Sequence, residues 1–190
     1  TSPWAGLEKQ PPASDKFIAA TLSAAGLTVV QSTAVEPDPG EAAIIAGAAH
    51  AKAHGIDGIV AVGGGSAIDT AKGLRFALAA GIEDAAALLP AMSGISPGKG
   101  WLPLIAVPTT LSGAEYTRSF SVNDRAARIK RSHMGSGVSA AAIVYDPLVT
   151  TATPEALWLG TGFVALDHAL EVYVASAPHP VADALKADAA

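Results

Sequence analysis

The chain has 190 residues, half of them apolar, no cysteine and a formal charge of -5. That length supports one sizeable core, or one domain and part of another. The lack of cysteine excludes a disulfide framework and fits a reducing, cytoplasmic setting, mild acidity gives no electrostatic case for nucleic acid, and alanine-rich apolar stretches broken by Gly, Pro or charge give no membrane span.

No basic segment with an apolar core opens the chain, so no secretion signal is expected. The sequence starts at Thr1 and ends in "ADALKADAA", which reads as the middle of a helix. A piece of a longer protein is therefore expected.

In chain order, Ser14 is placed to cap a helix over "DKFIAATLSAAG", with Gly26 closing it in the left-handed position. "LTVVQST" reads as a strand, "EPDPG" as a turn and "EAAIIAGAAHAKAHG" as a helix ending at Gly55. "GIVAV" is a short apolar run, as expected of a strand covered on both faces by helices. A helix over residues 67–80 follows, then two more buried-strand candidates, "PLIAV" (103–107) and "AAIVYD" (141–146). Strand and helix in alternation point to a parallel α/β sheet with right-handed crossovers. Near Thr150 the character changes. Thr153 caps, Pro154 takes the first helical position, and "EALWLGTGFVALDHALEVYVA" follows as a long helix, with "HPVADALKADAA" starting another. This divides the chain into residues 1–150, α/β, and residues 151–190, the start of an all-helical part.

Three consecutive glycines, Gly63, Gly64 and Gly65, stand between a buried strand and a helix opened by Ser66. A helix N-terminus presents unpaired N–H groups and partial positive charge, which suits a phosphate or pyrophosphate. Glycine lets such an anion approach the backbone, and the Ser66 hydroxyl adds a donor or a cap. The spacing is neither G-x-G-x-x-G, since Ile68 takes the last position, nor a P-loop. A tight strand-to-helix turn with Ser66 merely capping is the alternative.

The segment "GGGSAIDTAK" resembles the Gly-Gly-Gly-Ser-x-x-Asp-x-Ala-Lys signature of the iron-containing alcohol dehydrogenase superfamily. "PLIAVPTTLSGAEYT", then Lys130, then "VYDPLVTTATPEALWLGTGFVALDHALEVY" match further family motifs in the same order. The resemblance implies a Rossmann-like, dehydroquinate-synthase-like α/β domain for NAD(H) or NADP(H), followed by a helical substrate domain, in chains about twice this length. It implies that Gly63, Gly64, Gly65 and Ser66 hold the pyrophosphate, and that Asp69 faces the nicotinamide and the substrate cleft. Thr109 and Thr110 would line the adenine and ribose region, while Thr117 and Lys130 would lie near the nicotinamide ribose. Read from the residues alone, Asp69 is also a first-turn dipole residue, the threonines a polar turn and Lys130 a solvated lysine.

Metal-using members carry Gly-x-Asp-Ala-Leu-x-His-Ala-x-Glu, whose Asp and His, four apart, are ligands. Here the segment is "GFVALDHALE": His168 keeps the histidine, but Val164 replaces the aspartate, and Asp167 points about 100 degrees away from His168. The usual iron or zinc site is expected to be broken, with His168 a ligand only if a metal is present. The maleylacetate reductases lack that aspartate and work without metal. The short "PTTLSGAEYT" loop and "VYDPLVT" are also similar to that branch, which commonly has asparagine where Val164 stands.

The resemblance thus implies a metal-independent reductase moving hydride from NADH or NADPH to a small carbonyl or enoyl acid, with His168 and Asp69 as catalytic candidates. His168 is alternatively a helix histidine bonded to Asp167. His50, His54, His133 and His179 are expected at the surface. Ser2, at the family's ribose-binding aspartate, would admit NADPH. A homodimer, a small-molecule substrate and a role in aromatic-compound degradation follow by family habit. The alternatives are an iron- or zinc-dependent alcohol dehydrogenase and an inactive nucleotide-binding fragment. A dehydroquinate-synthase-like lyase fits "DTAK" less well.

Overall fold

The computed structural model describes residues 14–32, 35–94 and 97–174. Ser2, His179 and the helix expected over "HPVADALKADAA" lie outside the described residues.

Helices α1 (Ser14–Ala24) and α2 (Glu41–Ala53) form where the sequence places them, each followed by a glycine at positive φ, Gly26 at 85° and Gly55 at 60°. That conformation lets the chain leave a helix without a Cβ clash. Strand β1 (Ile59–Gly63) leads into α3 (Gly65–Ala80), which ends on Gly81 in the left-handed region. Helix α4 (Ala85–Gly94) precedes strand β2 (Leu104–Pro108). A 3-10 turn, Ala114–Tyr116, then opens an antiparallel hairpin, β3 (Ser119–Asp124) with β4 (Ile129–Met134). The chain returns to the sheet as β5 (Ala142–Ile143) and continues into α5 (Pro147–Thr150) and α6 (Glu155–Val174).

The sheet is parallel, in the order β1-β2-β5, with Ile59 opposite Leu104 and Gly63 opposite Pro108. The expected parallel α/β sheet is present, with three corrections. β5 is only Ala142–Ile143, with Ala142 exposed and Ile143 half-buried, not the buried strand expected over residues 141–146. Residues 27–32 form no strand, and Leu27 is more than half exposed. A β-prone run becomes a strand when a neighbour supplies a ladder, and among the described residues none pairs there. Among the described residues β1 is consequently an edge strand, with Ala61 alone buried, not a strand covered on both faces.

Two elements went unanticipated, α4 and the hairpin, and together they build the larger core. Phe76 and Ala77 of α3, Ile44 of α2, Leu88 and Met92 of α4, and Phe120 and Val122 of β3 meet in one cluster. A second, smaller cluster joins Ile68 and Ala71 of α3 to Ala61, Leu104 and Ala106 of the sheet. Helix α3 is the shared wall of both cores, and its first turn therefore has a fixed position.

His133, expected at the surface, is buried on β4 with its Nδ1 2.8 Å from the Met92 carbonyl and its ring 4.5 Å from that of Phe76. The inward face of a strand alternates every second residue, and His133 falls on it. His50 is also partly buried, its ring centre 4.3 Å from that of His54 and tilted 44° to it, because α2 turns that face toward the core. His54 is exposed as expected.

Candidate active site

At the carboxyl edge of the sheet, β1 ends on Gly63 with φ 147°, a value side chains other than hydrogen rarely adopt. Gly64 is the residue that caps α3, so Ser66 lies inside the first turn and does not open the helix as expected. Gly63 and Gly64 are required first by the protein itself, and Gly65 is tightly packed. A Cβ on Gly63 would stand 2.8 Å from the Ala67 Cβ, one on Gly64 2.8 Å from the Thr110 Cγ2, and one on Gly65 3.2 Å from the Ser112 Oγ. The loop after β2 lies directly against the glycines, and the Thr109 N–H donates to the Gly63 carbonyl at 3.0 Å.

Above this junction, the N–H groups of Ala67 and Ile68 donate to the Gly64 carbonyl. Those of Gly65 and Ser66 find no acceptor among the described residues. Two backbone donors at a helix N-terminus are thus left for an anion. The Ser66 Oγ accepts the N–H of Asp38 at 3.2 Å, which leaves its own proton free to donate outward. Asp38 holds a positive φ of 50°, and its carboxylate pairs with Lys130 Nζ at 3.0 Å. Lys130 is thereby brought from β4 to the glycine loop, and with Ser66 it forms one rim of the cleft.

Asp69 lies one turn further along α3. Its Oδ2 accepts the Ser121 N–H at 3.1 Å, tying helix to hairpin. Burial pushes its carboxyl above the ordinary value, while the Ser121 N–H and the charge of Lys72 work in the opposite direction. Thr110 is buried, 3.3 Å from the Ser112 hydroxyl, and forms the opposite wall. The Thr109 carbonyl accepts from the Thr153 hydroxyl at 2.7 Å, so the residue read as a helix cap works as a tie between α6 and this wall. Thr117 is exposed, with its Oγ1 3.0 Å from Lys72 Nζ.

Lys72 and Glu115 are the residues that sequence reasoning missed, although both lie inside the quoted motifs. Lys72 is fully buried, and its ammonium donates to the carbonyls of Ala114 (2.6 Å), Thr117 (2.8 Å) and Ser119 (3.0 Å). Burial depresses it to about 8, against the pull of Asp69. Glu115 is 4 % exposed; its Oε1 accepts the Tyr145 hydroxyl at 2.7 Å, and its Oε2 is buried without a partner. The available signal was a charged residue at a helix position flanked by apolar neighbours, "IDTAKGLRF", one turn apart from Ile68 and Phe76.

His168 does not join this group. It is exposed on α6, as are Val164 and Asp167. Val164, at the position of the expected ligand aspartate, has no donor atom, and among the described residues no group of three His, Asp or Glu side chains is placed to hold an ion.

Residues 8–147 match the family described as iron-containing alcohol dehydrogenase. The chain is 32% identical over 171 residues to the NAD-dependent methanol dehydrogenase of Bacillus methanolicus, covering 88% of this chain and 43% of that protein. It is 35% identical over 165 residues to the 4-hydroxybutyrate dehydrogenase of Cupriavidus necator, covering 86% and 43%. Among solved structures, a 1,3-propanediol oxidoreductase superposes with a TM-score of 0.78 at 32% identity, over 93% of this chain and 45% of that one. The alcohol dehydrogenase from Oenococcus oeni gives 0.80 at 30% identity, over 94% and 46%. The chain spans less than half the length of these relatives. With the family model matching most of this chain, and with relatives above 30% identity also covering most of it, the chain belongs to the iron-containing alcohol dehydrogenase family.

Proposed function

We propose that this chain forms the cofactor-binding part of an NAD(H)-dependent dehydrogenase that moves hydride between the nicotinamide and the carbinol carbon of a small alcohol. The observation that carries the reading is the pair of N–H groups on Gly65 and Ser66, without an acceptor among the described residues, at a helix N-terminus walled by Thr110 and Ser112 and rimmed by Lys130. When bound, the dinucleotide supplies the hydride acceptor; the alcohol loses hydride from carbon and a proton from oxygen, giving carbonyl, reduced cofactor and one proton.

The chain's own residues bind and orient. Gly65 and Ser66 would donate their N–H groups to the pyrophosphate, and the Ser66 hydroxyl would add a third donor. Lys130, now paired with Asp38, would exchange that carboxylate for an oxygen of the ligand. Asp69 would face the substrate from α3, and burial favours its protonated form relative to an exposed carboxyl. His168 would enter as a proton carrier from α6. The methanol and 4-hydroxybutyrate dehydrogenases support an alcohol–carbonyl couple.

A second reading, a metal-independent reductase of the maleylacetate type, is favoured by one residue, Val164 in place of a ligand aspartate. The test for both is fluorescence titration with NADH and NADPH, then turnover of methanol, propane-1,3-diol and 4-hydroxybutyrate, and of maleylacetate with NADH, each with and without chelator. Saturable NADH binding with alcohol oxidation is the expected result. Chelator-resistant reduction of maleylacetate alone would replace it with the second reading. No saturable binding of either nucleotide would overturn the cofactor site.

A further inference from the structure

Lys72 is the least expected side chain in the molecule. It is fully buried, yet no carboxylate touches it, and no acceptor lies on its own helix. Every polar atom it meets belongs to residues 114–119: the carbonyls of Ala114, Thr117 and Ser119 and the Thr117 hydroxyl. Desolvating an ammonium is expensive, and an aliphatic side chain of similar volume would fill the same space at lower cost. What the ammonium provides is direction: three hydrogens spread over one short segment fix its distance and rotation relative to α3.

That segment is continuous with the wall of the cleft. Ala114 follows directly on Gly113, which takes a φ of 70°, and a Cβ on Gly65 would be 3.2 Å from the Ser112 Oγ and 3.8 Å from the Ala114 Cβ. The two walls, glycine turn and Thr-Thr loop, are thus separated by less than one methyl group. A shift of the 114–119 segment by a fraction of that distance would close or widen the gap over the Gly65 and Ser66 amides. Charges facing Lys72 come from Asp69 and Arg75 on its own helix and from Glu115 on the 3-10 turn, with Tyr145 bonded behind Glu115; β3 contributes the Ser119 carbonyl. Arg75 repeats the device on the other side, with Nε donating to the Leu102 carbonyl at 2.6 Å and its two terminal nitrogens to the carbonyls of residues 137–139.

We propose that Lys72 is a positioning residue of the cofactor cleft, holding the loop after β2 at the separation from the glycine turn that dinucleotide binding requires. The inference rests on the cofactor reading above. It separates from a purely stabilising role through a readout of the folded protein. Lys72→Met keeps length and volume and removes the donors; Lys72→Gln keeps two neutral donors. NADH dissociation constants are measured by fluorescence at a temperature where circular dichroism shows each variant fully folded.

Lys72→Met is expected to weaken NADH binding by about tenfold or more, with Lys72→Gln between it and wild type, since small misplacements at a preorganised site carry losses of that order. A fall in Tm with unchanged NADH affinity in both variants would overturn the proposal and leave the cofactor reading intact. Absence of NADH and NADPH binding in the wild type would instead overturn the cofactor reading and the proposal with it. Should neither variant fold, hydrogen exchange of the wild type decides. NADH is expected to protect the amides of residues 64–67 and 114–119 together, and protection confined to 64–67 overturns the proposal.

Discussion

At the residue scale the three glycines show how one motif can serve two needs. Read in sequence, they make room for an anion. In the fold they also make room for Thr110 and Ser112, whose side chains already occupy the space a Cβ would need. The two demands meet on Gly64, where the added atom would fall 2.8 Å from the Thr110 Cγ2 and the loop would have to retreat. Gly64→Ala is therefore expected to weaken nucleotide binding by about tenfold or more, while the far core, which Gly64 does not touch, keeps the protein folded. Isothermal titration with NADH beside a thermal melt measures both. Unchanged affinity would mean that the Thr-Thr loop is not a wall of the site. The glycine turn, Ser66 and Lys130 were legible because their chemistry is local to a motif. Lys72 and Glu115 were not, since a buried charge is recognised by what surrounds it, and its acceptors are more than forty residues away in the chain.

At the element scale α3 organises the molecule. Ile68, Lys72 and Phe76 are spaced by four residues, and Ala71 and Arg75 flank them, so one broad face is buried against the sheet, the hairpin and α4. The helix was legible from its glycine start and its Gly81 stop. The hairpin carried a period-two signal in "SFSVND", with Phe120, Val122 and Asp124 inward, but its turn has no glycine. Arg128 adopts the positive φ of 56° that a glycine would normally announce, and the Asp124 carboxylate accepts the Ala127 N–H at 2.9 Å to hold it. Helix α4 was obscured by Pro90 in its interior. Phe76 binds these elements together, with ring centres 5.6 Å from Phe120, 6.2 Å from Trp101 and 4.5 Å from His133. Phe76→Ala should lower unfolding stability by about 3–5 kcal/mol, measured by urea unfolding, and Phe76→Leu by less. A loss under about 1 kcal/mol would show that the cluster closes around the cavity and that α3 is held chiefly by its buried cations.

At the scale of the whole molecule the exposed apolar surface is concentrated on one helix. Leu159, Phe163, Leu166, Leu170 and Val174 follow each other at helical spacing along α6, and each is more than half exposed. The helix of 20 residues is about 30 Å long, so the stripe is a contiguous band and not a scatter of single side chains. The other side of α6 is anchored: the Leu111 N–H donates to the Thr161 hydroxyl at 3.1 Å, and the Leu111 side chain lies against Gly162. A band of this extent is larger than isolated folded chains usually leave in water, and the relatives named above are more than twice as long as the part matched here. The 190-residue polypeptide is accordingly expected to self-associate through α6, with a sedimentation coefficient that rises with concentration. Charges placed on the band, as in Leu166→Glu with Leu170→Glu, should return it toward a monomer without altering NADH affinity, because neither residue approaches the glycine turn. Concentration-independent monomer sedimentation of the unsubstituted chain would show that the band is covered in solution by part of the same polypeptide. Loss of NADH binding in the double variant would place α6 against the cofactor, and His168 with it.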